Sequence, residues 1–98
     1  MISVITPVYN GARFIESCLQ CVIDQNCPGV EHIVIDGGSS DATPAILMAY
    51  AERHRHIRWI SEKDRGQSDA MNKGISLAKG DIIGVLNVDD FYAPGALQ

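Results

Sequence analysis

The chain of 98 residues is long enough for one small domain and too short for two. Its hydrophobic content of 46% is typical of a folded protein and excludes a disordered chain. With 8 Lys and Arg against 12 Asp and Glu, the net charge is −4. An acidic domain without a basic stripe is a poor candidate for nucleic-acid binding, since phosphate contacts supply most of that affinity.

The first half of the chain predicts two strands, each followed by a helix. Residues 2–6 are rich in β-branched side chains and end at a proline. An amphipathic helix follows, and its apolar face consists of Ile15, Cys18, Leu19, Val22 and Ile23. Residues 32–35 predict the second strand, and the loop DGGSSD begins at Asp36. Thr43 and Pro44 then suit the N-cap and first turn of a second helix.

The second half continues the same alternation. Residues 57–60 predict a third strand, and residues 68–79 predict a third helix that ends at a C-cap glycine, Gly80. Residues 81–86, DIIGVL, form a short apolar run typical of a strand that is buried on both faces of a sheet. The sequence NVDD follows this strand directly, and Pro94 suits the start of one more helix.

The order β-α-β-α-β-α-β with short loops predicts a parallel, Rossmann-like sheet with helices on both faces. Right-handed crossovers leave few topologies, and strand order 3-2-1-4 is favoured among them. In that order strands 1 and 4 lie side by side at a topological switch point. Ligands of open α/β sheets bind beyond the carboxyl ends of the strands at such a point.

Candidate ligand-binding residues lie at the ends of all four predicted strands, at the edge where parallel strands end together. They are Thr6, Pro7, Tyr9, Asp36, Glu62, Asp64, Asn87, Asp89 and Asp90. We expect them to converge on one crevice. Two adjacent carboxylates repel each other, and Mg²⁺ or Mn²⁺ would cancel that repulsion while leaving positions for phosphate oxygens. The alternative is a solvated acidic turn in which Asp89 or Asp90 caps the next helix.

The loop DGGSSD after the second strand also has two interpretations. Asp36 can accept hydrogen bonds from a ligand while the glycines let that ligand approach the backbone. Alternatively, the loop consists only of routine turn residues. The sequence contains neither G-x-G-x-x-G nor G-x-x-x-x-G-K-[ST], which argues against a dinucleotide site and a P-loop.

Three segments together resemble the start of a family 2 glycosyltransferase with the GT-A fold. They are VITPVYNGARFIESCLQCV, IVIDGGSSDAT and SEKDRGQSDAMNKGISLAKGDIIGVLNVDD, in this order. The resemblance extends from residue 2 to about residue 94. It implies that residues 1–98 are the nucleotide-sugar donor-binding part of such a domain, truncated before the acceptor-binding half.

The resemblance also implies roles for the residues at the strand ends. Thr6, Tyr9 and Asp36 fall where the family holds the nucleotide base. The DXD-like positions, which hold the ribose and a divalent metal (Mn²⁺ or Mg²⁺) on the diphosphate, are Asn87, Asp89 and Asp90. Asp89 and Asp90 are the implied metal ligands; Pro7 and Asp64 are placed in the same donor site. The family often carries Asp where this chain has Asn87, so this chain has one negative charge less there.

The implied reaction is an inverting, metal-dependent transfer from a nucleoside-diphosphate sugar, with a UDP-sugar as the favoured donor, to a saccharide or lipid-linked acceptor. In the family the general base lies in the acceptor-binding half. We therefore expect it beyond Gln98, expect no catalytic residue in this chain, and expect the isolated chain to be inactive. One alternative is a truncated or degenerate nucleotide-binding module without transferase activity. A receiver-type signalling domain is a weaker alternative, because TPVYN supplies no acid at the first strand end.

The sequence further predicts a cytoplasmic location, in solution or peripherally at the inner face of the membrane. The start, MISVITPVYN, lacks the basic region of a signal peptide. No apolar run approaches the roughly 20 residues that span a bilayer. Three cysteines, an odd number, fit reduced thiols better than a disulfide framework.

Overall fold

The computed structural model describes residues 1–25, 28–63 and 67–86. Within these ranges strands and helices alternate strictly, as the sequence predicts. They are β1 (Ile2–Val8), α1 (Ala12–Gln25), β2 (Val30–Asp36), α2 (Thr43–Arg53), β3 (Ile57–Ser61), α3 (Gln67–Leu77) and β4 (Ile82–Val85).

All four strands form one parallel sheet in the order β3-β2-β1-β4, which confirms the predicted topology. The register aligns Val8 of β1 with Asp36 of β2, and Asp36 with Ser61 of β3. The carboxyl ends of these three strands therefore lie at one level. As a result, the loops that follow them are neighbours.

Helices cover both faces of the sheet, as predicted. Under α1 and α2 the buried apolar side chains are Val4, Val8, Ile15, Cys18, Leu19, Val22, Val34, Leu47, Ile57 and Leu86. Under α3 they are Ile5, Ile33, Ile35 and Ala70. The predicted apolar face of α1 is confirmed, since four of its five residues are buried and Ile23 packs at the border. Full burial of an Ile or Leu side chain contributes about 1.5–3 kcal/mol.

The contact between α3 and β1 is closest at Gly74. A Cβ atom on Gly74 would lie 2.5 Å from Cγ2 of Ile5, whose side chain is fully buried and cannot move aside freely. We expect Gly74→Ala to lower the free energy of unfolding by about 1–3 kcal/mol through overpacking, although alanine favours helix by about 1 kcal/mol. Urea denaturation measures the change.

Asn72→Ala is the matched control for this prediction, because it introduces the same residue on the exposed side of α3. We expect this control to change the free energy of unfolding by no more than about 0.5 kcal/mol. If both variants unfold at the same urea concentration, the close approach of Gly74 to Ile5 is contradicted.

The prediction that the fourth strand is buried on both faces is wrong. Ile82, Ile83 and Val85 are 62%, 44% and 48% exposed. The reason is that β4 lies at the edge of the sheet, and among the described residues it pairs only with β1. An apolar run predicts a strand but does not indicate what covers it.

Two predicted helix ends are corrected. Thr43 is the first residue of α2 and not its N-cap; the carboxylate of Asp41 accepts hydrogen bonds from Thr43 N (2.9 Å) and Oγ1 (2.5 Å). α3 ends at Leu77, three residues before Gly80. A Cβ atom on Gly80 would lie 2.6–2.8 Å from atoms of Ser3 and Met1. Close approach to β1, and not helix termination, therefore accounts for this glycine.

A buried carboxylate ties the amino ends of the strands to the end of α3. Oε2 of Glu31 accepts from Ser3 Oγ (2.5 Å) and Lys79 N (2.6 Å), and Oε1 accepts from Arg58 Nη1 (2.8 Å). Arg58 Nη1 also donates to Leu77 O at 2.9 Å. Burial alone would raise the pKa of Glu31, but these hydrogen bonds and the Arg58 charge outweigh it and lower the pKa. The cluster anchors the end of the sheet opposite the carboxyl ends of the strands.

Candidate functional site

The carboxyl ends of β1 and β2 bring Asp36 and the loop containing Tyr9 together. Asp36 is the last residue of β2, paired with Val8, and Tyr9 follows directly in the chain. The same level is reached by Ser61 at the end of β3. Asp64, Asn87, Asp89 and Asp90 lie outside the described residues, so their predicted placement in this crevice stays a prediction.

The carboxylate of Asp36 is fully buried and held by two serines. Oδ2 accepts from Ser39 N at 3.1 Å and from Ser61 Oγ at 2.6 Å, and Oδ1 accepts from Ser39 Oγ. Among the residues that the structure describes, three donors therefore point at a group with about four acceptor positions, which leaves one position for a further donor. Because the carboxylate is covered, that donor reaches it only after a covering side chain moves.

The loop after β1 and the loop after β2 are joined by hydrogen bonds. Asn10 N donates to Ser39 Oγ at 2.7 Å. Asn10 Oδ1 accepts from Ser40 N at 2.8 Å, and more weakly, at 3.4 Å, from Ser40 Oγ and Asp41 N. Asp41 Oδ2 accepts from Ala12 N at 3.1 Å. We call these four residues, Asn10, Ser39, Ser40 and Asp41, the inter-loop network.

Asp41 is the charged member of this network. Hydrogen bonds from the hydroxyl and backbone N–H of Thr43, together with the one from Ala12 N, lower the pKa of Asp41. They outweigh the opposing effect of desolvation. Asp41 thus remains an acceptor that connects the starts of α1 and α2.

The backbone of the loop after β2 requires a glycine at position 38. Gly38 has a φ of +86°, which is in the left-handed region. A Cβ atom there would lie 3.3 Å from the backbone N and Cα of Lys63 in the loop after β3. The second glycine of DGGSSD is therefore explained by strain and close approach.

Tyr9 presents its ring to solvent at this edge, with 66% of its surface exposed. Phe14, in the first turns of α1, is 42% exposed, and the Arg13 guanidinium lies 5.4 Å from its ring centroid. Tyr9 directly precedes Asn10 of the inter-loop network. An exposed ring at this edge can stack on a flat heterocycle, and Asp36 at the end of the neighbouring strand can accept from an N–H group of such a ring.

Thr6 is placed differently from Tyr9 and Asp36. It is fully buried, and Oγ1 lies 2.8 Å from His32 Nε2 and 3.8 Å from Cys18 Sγ. Burial, and secondarily the nearby His56, lowers the pKa of His32 to about 3, so this imidazole stays neutral at physiological pH. The Thr6 side chain therefore bonds within the interior, and Thr6 itself is paired with Val34 inside the sheet, two residues before the end of β1.

Pro7 lies within β1, which continues to Val8 and does not end at the proline as predicted. Ile5 O accepts from Leu86 N, so residues 5 and 7 direct their backbone groups towards β4. The described pairing with β4 ends at Ile5. Within the described residues, no strand pairing on that side therefore needs the N–H that proline lacks.

Glu62, which follows β3, forms an ion pair with Lys73. Lys73 Nζ of α3 lies 3.0 Å from Glu62 Oε1 and 3.5 Å from Asp69 Oδ2. The hydrogen bond from Lys73 to Glu62 is the main cause that raises the pKa of Lys73. Glu62 therefore holds the loop after β3 to α3.

Sequence reasoning missed three residues of this site: Asn10, Ser39 and Ser61. Ser39 lies in the loop DGGSSD and Ser61 directly follows the third predicted strand. Both positions therefore indicated that these serines lie at the carboxyl edge of the sheet. Asn10 carries a left-handed φ of +49°, a conformation in which asparagine is enriched.

Across residues 1–25, 28–63 and 67–86, no group of three or more His, Cys, Asp or Glu side chains is arranged to hold a metal ion. The predicted ligands Asp89 and Asp90 fall outside these ranges. In the same part of the chain, the helices are too short or too polar to cross a membrane.

The chain is similar in sequence to known glycosyltransferases. The family model described as glycosyl transferase family 2 matches residues 3–98. Chondroitin synthase of Escherichia coli is 34% identical over 98 residues, which is all of this chain and 14% of that protein. The uncharacterized glycosyltransferase EpsJ of Bacillus subtilis is 35% identical over the same length, 28% of that protein. The chain thus spans less than a third of each.

Two solved structures agree with these relatives. A mannosyltransferase from Pyrobaculum calidifontis, in complex with GDP-Man and Mn²⁺, superposes with a TM-score of 0.88 and 30% identity over 96% of this chain and 29% of that one. Residues 1–349 of Staphylococcus aureus TarS, in complex with UDP-GlcNAc, superpose with a TM-score of 0.81 and 26% identity. This match covers 92% of this chain and 27% of that one. The predicted GT-A architecture is confirmed. Because the family match runs from residue 3 to residue 98, the chain belongs to glycosyl transferase family 2.

Proposed function

We propose that this chain carries the donor-binding part of an inverting glycosyltransferase, which moves a sugar from a nucleoside diphosphate to an acceptor hydroxyl. The observation that supports this best is the fit of 96% of the chain, at a TM-score of 0.88, on a mannosyltransferase that holds GDP-Man and Mn²⁺. On this proposal, residues outside positions 1–98 bind the acceptor. The general base that deprotonates the acceptor hydroxyl is also a residue outside these positions.

In the proposed donor site, Asp36 accepts an N–H of the nucleotide base and Tyr9 stacks on its ring. In every hydrogen bond that the structure describes at the Asp36 side chain, the carboxylate is the acceptor. An acidic acceptor of this kind suits uracil or guanine, whose ring N–H is a donor, and disfavours cytosine or adenine, which present a lone pair there. UDP- and GDP-sugars are therefore the proposed donors, with the UDP-sugar favoured.

Asp89 and Asp90 are proposed to hold Mn²⁺ or Mg²⁺, because adjacent carboxylates supply the hard oxygen ligands that these cations prefer. The cation, when bound, takes up negative charge on the diphosphate leaving group. Asn87 adds a neutral amide oxygen beside them.

Nucleotide binding tests this function. Ligand at about 100 times its dissociation constant adds roughly 2.7 kcal/mol to the stability. For a domain of this size we expect UDP or GDP with Mn²⁺ to raise the melting temperature by about 10 °C. We expect Asp90→Asn to lose the part of the shift that depends on Mn²⁺.

Asp81→Asn is the control, since it removes the same charge at the other end of β4, where the side chain is 96% exposed. We expect this variant to keep the full shift. An Asp90→Asn protein with an undiminished Mn²⁺ response would contradict the metal assignment. No response of the unaltered protein to either nucleotide would contradict the proposed function.

A further inference from the structure

We propose that Asn10 is a positioning residue that fixes Tyr9 relative to Asp36 and so controls recognition of the nucleotide base. The inference rests on the proposed function, because it assigns Tyr9 and Asp36 to the base. It concerns a residue that does not itself touch the ligand. Its action runs through the inter-loop network.

The backbone of Asn10 is connected to the Asp36 carboxylate through Ser39. Its N–H donates to Ser39 Oγ at 2.7 Å, and that same hydroxyl donates to the Asp36 carboxylate. Tyr9 is the preceding residue, so one hydroxyl connects the Tyr9–Asn10 peptide to Asp36. The two proposed base contacts are therefore mechanically coupled.

The Asn10 side chain bonds to the loop after β2 through its oxygen. The three hydrogen bonds that the described residues make to this side chain, from Ser40 N, Ser40 Oγ and Asp41 N, all end on Oδ1. Asn10 therefore acts as an acceptor, a role that a carboxylate oxygen can fill equally well. Its φ of +49° limits the residue to types that tolerate the left-handed region, chiefly glycine, asparagine and aspartate.

The coupling affects base recognition because a stacked ring and a directed hydrogen bond must be satisfied together. Hydrogen bonds weaken steeply with distance and angle. If the loop after β1 shifts by about 1 Å, a base that stacks on Tyr9 no longer aligns its N–H with Asp36. Binding of the diphosphate does not depend on this alignment, because Tyr9 and Asp36 are assigned to the base alone.

The chain offers a matched pair of variants at this position. Asn10→Gly keeps the backbone N–H and tolerates the positive φ, but removes the acceptor. Asn10→Asp keeps both the acceptor and the φ. Its added charge is exposed but lies close to the charged Asp41, within the screening length of about 8 Å at 0.15 M salt, so all variants are compared at about 1 M salt, where that length is about 3 Å.

The test titrates the purified variants with UDP, GDP and inorganic pyrophosphate in the presence of Mn²⁺, by calorimetry. We expect Asn10→Gly to weaken binding of UDP or GDP about 10-fold, as for loss of one well-aligned hydrogen bond. Pyrophosphate binding should change less than about 2-fold. Asn10→Asp should bind the nucleotide within about 3-fold of the unaltered protein.

A purely structural role for Asn10 would weaken nucleotide and pyrophosphate equally, and that result would overturn the inference. So would unaltered nucleotide affinity in Asn10→Gly, or failure of Asn10→Asp to restore it. In each of these cases the unaltered protein still binds UDP or GDP, and the proposed function stands. If the unaltered protein binds neither nucleotide, the proposed function fails and the inference falls with it.

Discussion

Asp36→Ala should weaken binding of UDP or GDP by about 10-fold or more while leaving pyrophosphate binding almost unchanged. A hydrogen bond from a base N–H to a carboxylate is charge-assisted and contributes about 1.5–3 kcal/mol. Calorimetric titration with Mn²⁺ present measures both affinities. The contrast between the ligands is decisive, because only the nucleotide carries a base.

Two further variants at the same place serve as controls. Asp36→Asn preserves side-chain size but replaces one acceptor oxygen with a donor, so one of the donors from Ser39 and Ser61 loses its partner. Ser61→Ala removes a donor and leaves the carboxylate in place, and we expect only a small loss of affinity. Equal weakening of nucleotide and pyrophosphate by Asp36→Ala would indicate a folding defect and contradict the role assigned to this carboxylate.

Glu31→Ala should lower the free energy of unfolding by about 3 kcal/mol or more. The substitution removes the acceptor shared by Ser3 Oγ, Lys79 N and Arg58 Nη1. The Ser3 hydroxyl then loses its acceptor in the interior, and Arg58 loses the carboxylate that neutralises its charge. That loss is a large fraction of the roughly 5–15 kcal/mol of a small domain. Urea denaturation at neutral pH measures it.

The same carboxylate gives stability a defined pH dependence. The pKa of Glu31 is lowered from its usual 4.5, so the folded state binds this proton less readily than the unfolded state. The stabilisation is fully present above the usual pKa and is lost as the pH falls through the lowered one. Glu31→Gln should flatten this part of the stability profile.

Glu16→Ala, on the exposed side of α1, is the control for Glu31. We expect it to change the free energy of unfolding by no more than about 0.5 kcal/mol. If Glu31→Ala unfolds at the same urea concentration as Glu16→Ala, the anchoring role of the buried carboxylate is wrong.

Local patterns predicted the elements and their order correctly. The spacing of Ile15, Leu19 and Val22 identified the buried face of α1 because side-chain direction in a helix depends only on sequence separation. The strand order followed from short loops and right-handed crossovers. Burial of β4 did not follow, because it depends on which other segments lie beside that strand.

In the candidate site, too, some positions could be predicted from local patterns and others could not. Asp36 was predicted to lie at the edge of the sheet because it follows a run of residues that is recognisable as a strand. The contacts of Asn10 with Ser39 and Ser40 join residues 29 and 30 positions apart, and they depend on the register of β1 with β2. The inward direction of Thr6 was predictable from the sequence, since Thr6 lies two residues from both Val4 and Val8 and therefore on the same face of the strand as these buried side chains.

The exposed edge formed by β4 has a practical consequence for work on residues 1–98 alone. In the described part of the chain, Ile82–Val85 pairs on one side only, so its other side offers backbone donors and acceptors flanked by exposed isoleucine and valine. An apolar, uncharged edge of this kind is a template for strand addition between molecules. Concentrated samples are therefore prone to self-association, and a charged residue at Ile83 is a rational solubilising substitution.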